Sequence, residues 1–172
     1  MAERNAMILV DDIRGALSRK ACIVGVGNTL LGDDGAGVVL VEALRCGGAG
    51  ARVRLVNAED IIESHAFEIA EGDWDTVVVV DAVRFGGSPG DVMFGAFSET
   101  GDLLNDFSTH KLSLRLSESI WRRSGKETFL LGIEPGNVDF GEGLSEAVRK
   151  SAETLGGILL EAVKQHPEGA CV

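Results

Sequence analysis

Positive charge is scarce in this chain of 172 residues: 16 Lys and Arg stand against 27 Asp and Glu, for a formal net charge of −11. Nucleic acid demands a basic face, so the balance excludes nucleic-acid binding as a function class. It equally disfavours an anionic membrane surface. The acidity serves solubility, and it would also suit a basic protein partner. Cysteine is sparse too. Cys22, Cys46 and Cys171 lie far apart with no CxxC spacing, which excludes a disulfide framework and a cysteine-based zinc site. Cys22 reads as a small core residue in a strand. A reducing, cytoplasmic compartment is expected. No apolar run approaches the length of a membrane span. The opening MAERNAMILVDDIRGALSRK places two acids after a very short apolar run, unlike a signal peptide. No internal repeat or low-complexity segment is visible.

Several catalytic signatures are missing as well. No Gly-Lys-Ser/Thr follows the glycine-rich stretch, so there is no P-loop, and Leu30 stands where a dinucleotide fingerprint needs its third glycine. Neither Gly-x-Ser-x-Gly nor HExxH occurs.

What is present suits one α/β domain. Residues 1–20 read as an N-terminal arm or short amphipathic helix, with Met7, Ile8, Ile13 and Leu17 near one face. Residues 21–164 form the domain, and 165–172 read as a disordered tail. Strands are expected at about 21–26, 52–56, 76–80, 91–97 and 128–133. Helices are expected at about 35–46, 58–71, from His110 to Gly125, and 144–163. Arg52–Val56 alternates polar and apolar residues, as an edge strand does. The run TVVVV at Thr76–Val80 marks a central parallel strand buried on both faces. The turn at residues 86–90 is too short for a crossover helix, so the strand after it should run antiparallel to its predecessor. The piece from His110 also alternates like a strand. Leu112, Leu116 and Ile120 at spacing four favour helix, with Ser108 or Thr109 as cap. The predicted architecture is a three-layer sandwich: a five-stranded, mostly parallel mixed sheet with helices on both faces.

The chemistry gathers at GVGNTLLGDDGAG, Gly25–Gly37, where a strand gives way to a helix. In an open α/β sheet, sites form outside the carboxyl ends of the strands. Asp33 and Asp34 lie just past one such end and Asp81 lies at another. His110 begins an element that leaves the sheet after the fourth strand. Two carboxylates and an imidazole suit a first-row divalent cation, and paired acids at a helix entrance point to a cation rather than a phosphate. The same residues fit a structural reading, in which an Asp after a buried strand caps its turn and a His opens a helix. Spacing leaves both open. His65, beside Glu63 and Glu68, reads as a solvated surface residue, and His166 lies in the tail.

Four ordered motifs resemble one family. Gly25–Gly37 is similar to the opening signature of the [NiFe]-hydrogenase maturation endopeptidases, and most similar to the branch that processes the hydrogenase 3 large subunit. Val79-Val80-Asp81-Ala82 resembles the family's second acidic motif, and Thr109-His110-Lys111-Leu112 its histidine motif. Phe129–Pro135 resembles its Gly-Ile-x-Pro strand end. The resemblance runs from about Cys22 to Val163. The stretch before it has no counterpart, and Gly95–Ser108 departs from the pattern. The resemblance implies an endopeptidase that cuts a C-terminal extension from a hydrogenase large-subunit precursor after nickel insertion. It implies Asp34, Asp81 and His110 as catalytic residues and metal ligands, with nickel carried by the substrate and other divalent cations able to occupy the site in vitro. Gly27, Asn28, Asp33 and Gly35 would support the loop. The alternative is a non-catalytic nickel-binding chaperone that inspects the large subunit, since no nucleophile stands apart from these ligands.

Overall fold

The computed structural model describes residues 2–49, 53–100 and 111–164. Within them the order is α1 (Ala2–Ala16), β1 (Ala21–Val26), α2 (Ala36–Cys46), β2 (Arg54–Glu59), α3 (Ala66–Glu71), β3 (Thr76–Ala82), β4 (Val92–Ala96), α4 (Phe97–Thr100), α5 (Lys111–Arg123), β5 (Glu127–Ile133) and α6 (Glu146–Lys164). Short 3-10 turns, Gly32–Gly35 and Ile62–His65, lead into α2 and α3.

The five strands form one sheet in the order β2-β1-β3-β5-β4. The first four of these are mutually parallel, and β4 closes the edge antiparallel to β5. β3 is central, and its valines explain why. Val78 and Val80 point into a core shared with α1, α2 and α6. Val77 and Val79 point into a second core under α3 and α5. Strand side chains alternate between faces, so only a sheet covered on both sides buries all four. This is the α/β sandwich expected, with helices on both faces. Cys22 is in the second core. Burial pushes its thiol up to about 12, so it stays protonated and packs as a small apolar residue. Residues 2–16 are helical, and the end of the N-terminal stretch is docked, with Ile13 and Leu17 in the core.

One expectation needs correction. Residues 58–71 are not one helix. β2 continues to Glu59, because Val56 and Ala58 still alternate into the core and Gly27 N–H donates to the Glu59 carbonyl. Only Ala66–Glu71 is α-helical. In α5, Leu112 and Leu116 do not face the core. Leu114, Ser117 and Trp121 do, and the Trp121 indole N–H donates to the Ala66 carbonyl at 2.9 Å. A buried indole needs that acceptor, and it sets the rotation of the helix. β4 opposes the direction of β3, as expected, and it does so as the hydrogen-bonded neighbour of β5. The tail at 165–172 and the cap positions Ser108 and Thr109 lie outside the described residues.

Candidate active site

Parallel pairing brings two strand ends to one edge. Gly25 of β1 is level with Val80 of β3, and Asp81 is the next residue along β3. Asp81 is completely buried. The chain leaving β1 bulges between Gly25 and Val26 and turns at Gly27, whose φ is +125°. A Cβ there would sit 1.8 Å from the Asp34 carbonyl oxygen. The loop therefore folds back on itself as only glycine permits. Gly37, in the first turn of α2, presses on both strand ends. A Cβ there would meet the Val80 carbonyl oxygen at 2.2 Å and that of Val26 at 2.5 Å. The 3-10 turn carrying Asp33 and Asp34 is thereby held against the end of β3.

The two adjacent aspartates diverge. Asp34 is half-buried, and its Oδ2 accepts the Asn28 backbone N–H at 2.7 Å. The Asn28 side chain holds the loop twice over: Oδ1 accepts from Leu30 N–H at 2.9 Å, and Nδ2 donates to Asp60 at 2.9 Å. Asp33 is completely buried and turned toward a distant segment. Its Oδ2 accepts from the N–H groups of Gly136 and Asn137 and from the Ser145 hydroxyl, each at 2.8 Å. Its Oδ1 accepts from Ser145 N–H at 2.6 Å. Burial alone would raise the carboxyl pKa, but the donors from Asn137, Ser145 and Gly136 outweigh it and hold the pKa below the ordinary carboxylate value. Asp33 thus clasps residues 136–145 to the glycine loop.

Glu134, within the stretch Phe129–Pro135, has a role that the sequence does not disclose. It is buried, and Oε2 accepts from Phe85, Gly86 and Gly87 N–H at 2.7, 3.0 and 3.1 Å. Three backbone donors converging on one carboxylate fix the chain that follows Asp81. The only sequence cue was an acid placed directly before Pro135-Gly136-Asn137.

The structure thus brings Asp34 and Asp81 to one edge and assigns Asp33 to the scaffold. Gly27 and Asn28 position Asp34. Gly35 packs against Thr29, where a Cβ would come within 2.7 Å of the Thr29 Cα. His110 lies outside the described residues, and α5 begins at the residue after it. Among the described residues, no group of three His, Cys, Asp or Glu side chains is poised to hold a metal. Asp34 and Asp81 supply two oxygen-donor groups that suit a divalent cation, and a third donor must come from elsewhere. His65 stands at the junction into α3, 3.7 Å from Glu68 and partly exposed. Gly27→Ala is expected to destabilise the loop by roughly 1–3 kcal/mol, lowering Tm by several degrees. An unchanged melting curve would mean the contact with Asp34 relaxes at no cost.

Comparison with known proteins decides the family. A model of the HycI hydrogenase maturation protease family matches residues 38–162. The chain belongs to the hydrogenase maturation protease family. Relatives of this maturation protease include the hydrogenase 3 maturation protease of Escherichia coli strain K12, 27% identical over 132 residues, which cover 76% of this chain and 82% of that one. Among solved structures, the [NiFe] hydrogenase maturation protease HycI from Thermococcus kodakarensis KOD1 superposes with a TM-score of 0.74 at 30% identity. The match covers 90% of this chain and 99% of that one. The hydrogenase maturating endopeptidase HybD from E. coli gives 0.71 at 27% identity, over 85% and 93%. The family match begins just after the glycine loop, while the structural matches extend over most of the maturation protease. Among the described residues, no helix is long and apolar enough to cross a membrane.

Proposed function

We propose that this protease removes a C-terminal extension from a [NiFe]-hydrogenase large-subunit precursor after nickel has been inserted, with the substrate's nickel as recognition element. The observation that supports the reading is the position of Asp34 and the buried Asp81 at the same carboxyl edge of the sheet, in a chain of this family. His110 is proposed as the third ligand.

The donor chemistry supports a weakly held cation. Two carboxylates and one imidazole leave coordination positions vacant, which suits an ion presented by the substrate. Bound there, nickel supplies Lewis-acid chemistry toward the scissile peptide or an attacking water. The chain's own residues have separate tasks. Asp34 is oriented by Asn28 N–H. Asp81 is held away from solvent, where its charge is less screened than at the surface. Asp33, turned to Ser145 and residues 136–137, fixes the loop from behind. Such a site waits for its metal, which makes cutting conditional on nickel insertion. Cytoplasmic action is proposed with it, in keeping with the sparse and widely spaced cysteines.

The test is the intact mass of the purified nickel-loaded precursor before and after incubation with this protein. Loss of a C-terminal peptide is the expected result. An unchanged mass, with a precursor that another processing route can mature, would replace the endopeptidase by the nickel-binding chaperone reading.

A further inference from the structure

Large apolar side chains are exposed around the proposed site. Leu30 of the glycine loop is accompanied by Val138 and Phe140, the latter 83% exposed. Backbone hydrogen bonds bind these two stretches together: Gly141 N–H donates to the Leu30 carbonyl at 2.9 Å, and Gly32 N–H to the Gly141 carbonyl at 2.8 Å. Ile61 is exposed next to Asp60, which the Asn28 side chain holds. Beyond it, α5 packs against the turn Ile62–His65. Its end joins the start of β5 through Ser124–Lys126, so its first turn points back toward the carboxyl edge. That turn exposes Leu112, at 81%. The glycine loop that carries Asp34 is tied to the first of these stretches through Leu30 and Gly32 and to the second through Asn28 and Asp60.

Charge is distributed with equal bias. All 16 lysines and arginines lie outside residues 21–44, 55–83 and 127–148. Those three segments supply the glycine loop, the turn after β2, the end of β3 and the loop clasped by Asp33. They carry Asp60, Glu63, Asp139 and Glu142 among the exposed apolar residues. Arg84 and Arg115 stand on the neighbouring stretches after β3 and in α5. Exposed apolar surface rimmed by charge of one sign marks an interaction site for a partner of the opposite sign.

We propose that this surface docks a segment of the substrate protein that carries both large apolar and basic side chains. The apolar groups cover Leu30, Val138 and Phe140, and lysine or arginine meets Asp139, Glu142, Asp60 and Glu63. The proposal rests on the processing function above and adds the chemistry of the recognised segment. Phe140 is the anchor, because an aromatic ring exposed on a backbone-pinned loop gains most from being covered and loses little side-chain freedom. The acidic rim governs approach and is weakened by salt.

The test measures binding separately from cutting. Affinity for the nickel-loaded precursor is compared among the wild type, Phe140→Ser and the double variant Asp139→Asn/Glu142→Gln, at low and high NaCl. These side chains are exposed, and melting curves check that each variant stays folded. Phe140→Ser is expected to weaken binding about tenfold or more. The double variant should lose most of the wild type's salt dependence. Equal affinities for all three proteins, or wild-type binding insensitive to salt, would overturn the proposal. Wild type that binds in this pattern but does not cut would sink the endopeptidase reading and leave the docking surface standing.

Discussion

Asp81→Asn is expected to abolish precursor processing, by roughly a thousandfold or more, while the protein stays folded. The substitution is isosteric, at a completely buried position at the end of the central strand. Packing is therefore retained. What is lost is a negative charge at the strand edge, and an amide is a poor ligand for a divalent cation. Asp34→Asn should behave alike, since its position is fixed by Asn28 N–H and the glycine fold-back. His110→Ala should do the same if it is the third donor. His65→Ala, at the junction into α3, should cut at the wild-type rate. Rates for Asp81→Asn within a few-fold of wild type, measured by intact mass over time, would remove Asp81 from the site.

Asp33→Asn should act differently, through stability. The variant loses the charge that four donor contacts address, and its amide presents N–H groups to some of those donors. Losing charge-assisted hydrogen bonds at a buried site costs about 3 kcal/mol, or roughly 6–12 °C in Tm for a domain of this size. The pH dependence follows from the lowered pKa of Asp33. A carboxyl with a folded pKa below its unfolded one contributes fully above the unfolded value. The contribution disappears as pH falls through the folded value. The gap in Tm between wild type and Asp33→Asn should therefore be wide at pH 7 and close under strongly acidic conditions. A gap that stays constant down to the acid limit would mean that packing, and not the charged clasp, holds residues 136–145.

The contrast between adjacent aspartates shows what the sequence could and could not disclose. TVVVV at Thr76–Val80 specifies a strand buried on both faces, since no other arrangement buries four consecutive valines in a strand. From that strand and the glycine loop, the meeting of Asp34 and Asp81 follows by parallel pairing. The separation of Asp33 from Asp34 does not. It depends on Gly136, Asn137 and Ser145, more than a hundred residues away, and no local pattern announces that contact. Glu134 was hidden for the same reason, its partners being backbone N–H groups of residues 85–87. Local pattern gave the helix α5 but not the face it buries. Leu112, Leu116 and Ile120 form a ladder at helical spacing, yet the core selects the face with Leu114 and Trp121, where the large indole finds both volume and an acceptor. The exposed leucine is then left over at the proposed site's edge, where a partner can use it. In residues 58–71, helix-compatible composition lost to the continued pairing of β2 along β1 and the glycine loop.

Cutting is expected to wait for the metal that the substrate brings. The direct measurement follows C-terminal peptide release from matched nickel-loaded and nickel-free precursor, with this protein stripped of metal beforehand. Release from the loaded precursor alone, and its loss in Asp81→Asn, is the predicted result. Equal release from both precursors would contradict nickel as the recognition element.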